Sequence, residues 1–199
     1  MTTEIRPYFR THPLRWPIKD DKGHDITSIT VSTISMAASN QIKAEHKGDD
    51  DASRIANNEA YLRHMTGLTD AEVMRLCMPD YNSLIAIVLS LSNKTTSLLR
   101  AEDGKETGSD SFPLLVPLND PFKGAVTDVE IQPPTVQMTR LVQEFGGEVR
   151  DRKLAALATG LDETIFDQMH MPDWNQLTEV ISNFLSEDAG FFPQKTSST

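Results

Sequence analysis

Met78-Pro79-Asp80-Tyr81-Asn82 returns as Met171-Pro172-Asp173-Trp174-Asn175, and Thr66-Gly67-Leu68 returns as Thr159-Gly160-Leu161. Both pairs lie 93 residues apart (171 − 78 and 159 − 66). The register continues through Leu84/Leu177, Ile87/Val180, Val88/Ile181 and Leu91/Phe184, so what persists is apolar and structural rather than polar and catalytic. Two unconnected blocks at one spacing read as an internal repeat, here of a small module.

Upstream the halves match at an offset of 100. His12-Pro13-Leu14-Arg15-Trp16-Pro17-Ile18 lines up with Phe112-Pro113-Leu114-Leu115-Val116-Pro117-Leu118, and Ile26–Val31 with Val126–Ile131. The drop from 100 to 93 assigns seven extra residues to the first copy, and the acidic run 47–53 is the natural place for them. Alternation of Leu14/Trp16/Ile18 and Ile29/Val31 about Asp20-Asp21-Lys22-Gly23 predicts a β-hairpin, repeated by Leu114/Val116/Leu118 and Val129/Ile131. Helical periods follow near 34–45, 54–66 and 70–77, and near 135–145, 148–159 and 163–170. The last helix of each copy is the clearest, with Tyr81, Leu84, Ile85, Val88 and Leu91 matched by Trp174, Leu177, Ile181 and Phe184. The expected fold class is α+β, mostly helical, as two tandem hairpin-plus-helices modules. Residues 1–94 form the first, 95–111 a linker, 112–187 the second and 188–199 a flexible tail.

The repeated words read as helix punctuation. Gly67 and Gly160 stand where a helix ends in the left-handed conformation, with Leu68 or Leu161 pinned back on its last turn. Thr69-Asp70-Ala71-Glu72 is a capping box, and Asp162 offers the matching cap. Asp80 and Asp173 are expected as N-caps, a role in which replacement by Ala costs about 1 kcal/mol.

Composition narrows the function classes. Hydrophobic residues make up 38% of the 199 and mean hydropathy is −0.37, values of a globular chain without the ~20-residue apolar run of a membrane span. The N-terminus has no apolar core of a secretory signal, and the single Cys77 fits a reducing compartment, so the protein is expected to stay in the cell that makes it. The net charge of −10 is one-sided: residues 1–100 carry 12 Lys/Arg against 12 Asp/Glu, residues 101–199 carry 7 against 17. No basic stripe for a phosphate backbone is present, which argues against nucleic-acid binding.

Chemistry-bearing patterns are sparse. Cys77 and His170 hold matched positions, yet two ligands do not make a zinc site, and His12, His24, His46 and His64 lack paired spacing. Asp49-Asp50-Asp51 lacks the alternating ligands and closing Glu of a calcium loop. Gly146-Gly147 fits neither phosphate-binding fingerprint and reads as a turn between helices. The expectation is no enzyme, no cofactor and no metal. Instead, the apolar residues of the final helices are the candidate partner-binding set: Tyr81, Leu84, Ile85, Ile87, Val88 and Leu89, with Trp174 and Phe184 in the second copy. In the first of these helices they cover more than the ~100° stripe that one buried face needs.

A hairpin, helices stopped by Thr-Gly-Leu, and an Asp-aromatic opening of a last amphipathic helix that ends in Phe-Leu resemble the Mu-like family of phage tail assembly chaperones. The words that carry the likeness are Val129–Thr135, Ala156-Leu157-Ala158-Thr159-Gly160-Leu161, Pro172-Asp173-Trp174 and Ile181-Ser182-Asn183-Phe184-Leu185. Residues 112–187 follow the pattern; 12–93 follow it more loosely, departing at Val31-Ser32-Thr33-Ile34. The resemblance implies a protein of the host cytoplasm during assembly that engages the helical tape-measure protein; the surplus apolar surface of the helix over Tyr81–Leu91 separately allows packing on the other module or self-association. The alternative is a structural tail component, a terminator or baseplate protein, retained in the virion tail.

Overall fold

The computed structural model describes residues 7–48, 50–105, 111–121 and 124–192. Parts of several stretches read from sequence lie outside them: the N-terminal six residues, Asp49 of the acidic run, 106–110 of the linker, Phe122-Lys123 of the second turn and 193–199 of the tail.

The fold is α+β. β1 (Phe9–Lys19) and β2 (Asp25–Ser32) form an antiparallel hairpin, followed by α1 (Met36–Glu45), α2 (Asp51–Thr66), α3 (Asp70–Met74), α4 (Met78–Asn93) and α5 (Thr96–Glu102). A second hairpin, β3 (Ser111–Asp120) and β4 (Gly124–Glu130), precedes α6 (Val136–Leu141), α7 (Gly147–Thr159), a 3-10 turn over Glu163–Gln168, α8 (Met171–Ser186) and a last 3-10 turn over Ala189–Phe191. The hairpins remain separate two-stranded sheets. Local chemistry sets the first turn: Asp20 accepts the N–H groups of Lys22 and His24, both at 2.8 Å, and Gly23 supplies φ +89°. No helix among the described residues is long and apolar enough to cross a membrane.

Matched positions do matched things. Gly67 and Gly160 end α2 and α7 with φ of +75° and +65°. The residue after each glycine differs from the expected cap: the N–H groups of Leu68 and Leu161 donate to the hydroxyls of Thr66 and Thr159. Each of those hydroxyls in turn donates to the carbonyl four residues back, Leu62 or Ala155. The threonine of the repeated word is therefore part of the stop. Thr69 and Glu72 form the predicted capping box, and Asp162 caps the following turn, which is 3-10 rather than α.

Several expectations are corrected. Asp80 and Asp173 are not N-caps; Cys77 and His170 hold those places, and each aspartate is the third helical residue. Pro79 and Pro172 cause the shift, because proline fits the first turn, where its missing N–H has no partner to lose. The acidic run is no loop beyond Asp50, which caps α2 through the Ser53 N–H at 2.9 Å; Asp51 already lies in the helix. The stretch read as a linker contains α5, capped by Thr95 and buried through Thr96 and Leu99. The tail begins ordered, with Phe192 stacked on Phe184 at 4.7 Å.

The core is one cluster, not two. Val31, Leu62, Leu84 and Leu91 of the first half join Leu118, Leu154, Phe166 and Leu177 of the second. α5 fastens the halves: its C-terminal end is held by Tyr8 and Arg10, which donate to Asp103 at 2.8 and 2.6 Å, while its start sits on α8.

Two stability effects follow. Leu99→Ala should cost 2–5 kcal/mol of unfolding free energy in urea titrations, as expected of a core leucine and not of a linker residue. Gly160→Ala meets no atom within 4 Å, so its cost, about 1 kcal/mol, should come from the positive φ alone.

Candidate functional site

Each hairpin breaks its ladder at the same place. Register shifts between Pro13 and Ile18 in one and between Pro113 and Leu118 in the other, since proline at 13 and 17, or 113 and 117, removes a donor on either side of the break. The N–H groups inside the bulge turn out of the sheet and find a carboxylate. Asp80 accepts from Arg15 and Trp16, both at 3.0 Å; Asp173 accepts from Leu115 and Val116 at 2.9 and 3.3 Å. One helical turn inside α4 or α8, the aspartate thus fastens its hairpin to its last helix.

The surroundings of the two carboxylates differ. Asp173 is fully buried and takes its third donor from the Thr96 hydroxyl of α5. Beside it the Ser97 N–H donates to Gln176 at 3.0 Å, and the Asn175 amide donates to the carbonyls of Ser92 and Lys94 at 2.9 and 3.2 Å. The α4–α5 corner therefore covers the second hairpin's bulge. At the first bulge the third partner is His12, whose Nε2 lies 3.3 Å from Asp80. The Asp80 side chain is itself buried, but no described residue closes over the bulge: a groove of about 480 Å³ lies there, lined by His12, Pro13, Trp16, Pro79, Asp80 and Ser83. Ser83, matched to Gln176, turns back to the Pro79 carbonyl at 2.9 Å, and Asn82, matched to Asn175, is exposed.

Electrostatics follow from cover. Burial pushes Asp173 up to about 6, against the lowering by Thr96, the two N–H groups and Arg100. Burial also raises Asp80, but the N–H groups of Trp16 and Arg15 with His12 outweigh it, and the group titrates below its ordinary range. His170, at the start of α8, is pushed down to about 4 by burial; its Nδ1 pairs with the Thr33 hydroxyl at 2.7 Å. Cys77, at the matched start of α4, is exposed. Among the described residues no three His, Cys, Asp or Glu side chains converge as metal ligands. A further concavity, about 550 Å³, is an open cleft whose charged lining is Arg150, Asp151 and Glu179.

The candidate binding residues separate on folding. Leu84, Val88 and Trp174 go into the core, Trp174 with its ring 5.5 Å from that of Phe166, so these three offer no surface to a partner. Their helical spacing aims them at the same face as Leu91 and Leu177. Tyr81, Ile85 and Ile87 are half-buried against the core, Leu89 is exposed, and Phe184 lies under Phe192. Sequence reasoning missed α5, His12 and the bulge N–H groups. Thr95 ahead of Leu98-Leu99 was a readable cap signal, whereas the pairing of a bulge with an aspartate 65 residues away was not.

The two buried groups set opposed pH dependences. His170 ionises near 4 when folded against 6.5 ordinarily, so the unfolded chain takes the proton first and stability is lost as pH falls through that window. Asp173 ionises near 6 against 3.8, so the folded chain takes the proton first and stability is gained as pH falls from 6 towards 4. Each is worth on the order of 3 kcal/mol, and together they nearly cancel. Relative to wild type, His170→Asn should therefore gain stability as pH falls from 6 to 4, and Asp173→Asn should lose it. Urea unfolding at several pH values reads both slopes; variants that parallel wild type would refute the assignment.

Compared with known proteins, the chain matches no family model, no curated protein and no solved structure.

Proposed function

We propose that the protein is a non-enzymatic assembly chaperone of the phage tail type, which engages an amphipathic helix of a tape-measure protein and masks its apolar stripe. The observation that carries this reading is the outer edge of α4. Tyr81, Ile85 and Leu89 stand at i, i+4 and i+8, on one side of the helix over about 12 Å, and run from half-buried to exposed. The matched positions of α8 hold buried Trp174, then Thr178 and Ser182, so this apolar edge belongs to the first half alone. Leu89 also borders a shallow cleft of about 140 Å³ with Lys43, Asn57, Asn58 and Tyr61, which gives the edge polar flanks that set the register of a bound helix. Such a surface suits helix-in-groove recognition. The sequence likeness supplies the class of client, and long client helices of that kind aggregate until covered.

The test uses the intact protein and the tape-measure protein produced with it. Leu89→Lys should weaken co-purification at least tenfold and leave the helical signal and unfolding midpoint close to wild type, since Leu89 is exposed. Ile87→Lys, half-buried against the core, should instead lower the unfolding midpoint. Undiminished binding by Leu89→Lys would remove this edge as the client surface, and stoichiometric protein in finished particles would favour a permanent structural role.

A further inference from the structure

The contact between the two halves is not two-fold. The first half contributes residues 33–36, α1, α4 with its C-terminal end, and α5; the second contributes the 3-10 turn over Glu163–Gln168, α8 and the bulge of its hairpin. Met36 N–H donates to the Met169 carbonyl at 2.8 Å and Met171 N–H to the Ile34 carbonyl at 2.9 Å, beside the Thr33–His170 pair and the Asn175, Gln176 and Asp173 bonds described above. In a two-fold arrangement the matched residues would make the same bonds with the halves exchanged. They do not, and both matched surfaces lie open. At one end Trp16 is 47% exposed where Val116 is 2%, and Met78 is 63% exposed where Met171 is 9%. At the other, Val136 is 69% exposed where Met36 is 1%, and Leu185 is exposed where Ser92 is buried. A heterologous contact with both of its surfaces free repeats from molecule to molecule.

We propose that this protein associates head to tail. The open bulge of one copy, around Trp16, Met78 and Asp80, receives the end of α8, residues 186–192 and the Pro134–Val136 segment of a second copy. The segment is the matched counterpart of the one that fills the internal site: Glu187-Asp188-Ala189-Gly190-Phe191-Phe192 stands 93 residues after Lys94-Thr95-Thr96-Ser97-Leu98-Leu99. Asp188 precedes its 3-10 turn as Thr95 precedes α5, and Phe192 takes the place of the buried Leu99. Ser35 and Thr135 are likewise matched N-caps of α1 and α6.

Three differences between the internal and open sites compensate one another. Ala189, in the place of Thr96, brings no hydroxyl, and Asp80 already has its third partner in His12. Arg15 stands on the open bulge where Leu115 stands on the covered one, and the incoming segment carries Glu187-Asp188 where the internal one carries Lys94-Thr95. A cation appears on one surface as two anions appear on the other, which favours pairing between copies. Pro133 and Pro134 remove no needed donor, because the internal pair uses the carbonyl of residue 34 and the N–H of residue 36, whose counterparts are the Pro134 carbonyl and the Val136 N–H. As the first residues of α6 and α4, Val136 and Met78 have N–H groups outside the intrahelical ladder. This inference stands apart from the client reading, which uses a different edge of α4.

Sedimentation of the full-length protein across concentration tests it. Wild type should grow in mass with concentration, and less so at high salt. A Trp16→Glu/Met78→Glu double variant, blocked at the bulge, and a Phe192→Glu/Leu185→Glu variant, blocked at the tail, should each be monomeric with unchanged helical signal. Mixed one to one, they should form a dimer that does not grow. If either set is poorly folded, charge reversal replaces it: Arg15→Asp and Asp188→Arg should each weaken association at least tenfold, and the chain carrying both should recover it. A wild type that stays monomeric to its solubility limit overturns the proposal, as does growth in either blocked variant alone or no rescue by the paired reversal.

Discussion

A carboxylate without water needs donors, and the way Asp173 obtains them organises much of this molecule. Its three come from two segments: Leu115 and Val116 from a strand, Thr96 from a helix of the opposite half. A buried charge left unsatisfied is costly, so the hairpin, α8 and α5 are held in one relative placement. A two-stranded hairpin is marginal by itself, and each hairpin here gains its support from the aspartate of the helix behind it. The prolines make that possible, because they free the bulge N–H groups from the ladder and leave them to be satisfied elsewhere.

The same device in the first half has a different neighbour. Asp80 is satisfied from within its own half by His12, Arg15 and Trp16, so no second element is required to close over it. One repeated word therefore produces a covered bulge in the middle of the molecule and an open one at its end. α5 decides which is which, since the polypeptide after α4 is at hand to fill the following bulge and no described residue fills the first one.

The proposed contacts both use surfaces that folding leaves open. Among the exposed apolar residues, Leu89 on α4 and Trp16 and Met78 at the open bulge each have a matched residue in the second half that is covered or polar. That contrast singles them out better than hydrophobicity alone, because scattered exposed apolar residues are ordinary on any globular protein.

Local chemistry made much of the architecture readable in advance. Alternation about Asp20–Gly23 gave the first hairpin, the positive φ that only glycine takes easily gave the ends of α2 and α7, and the spacing of Leu84, Val88, Leu91, Leu177 and Ile181 gave the faces of α4 and α8. These depend on residues within one or two turns of each other, so a sequence carries them openly. Asp80 and Asp173 show the limit: position after proline suggested a cap, but the backbone N–H groups they accept from lie 57 to 65 residues away and have no residue signature. Likewise Thr95-Thr96-Ser97 has the composition of a loop, and only its packing on α8 makes it the start of a helix buried along one side. Amino-acid order determined which segments fold and where they stop. The tertiary structure decided which polar groups are paired, which apolar edge is left over and which repeated site stays open, because burial and long-range hydrogen bonding belong to the assembled chain.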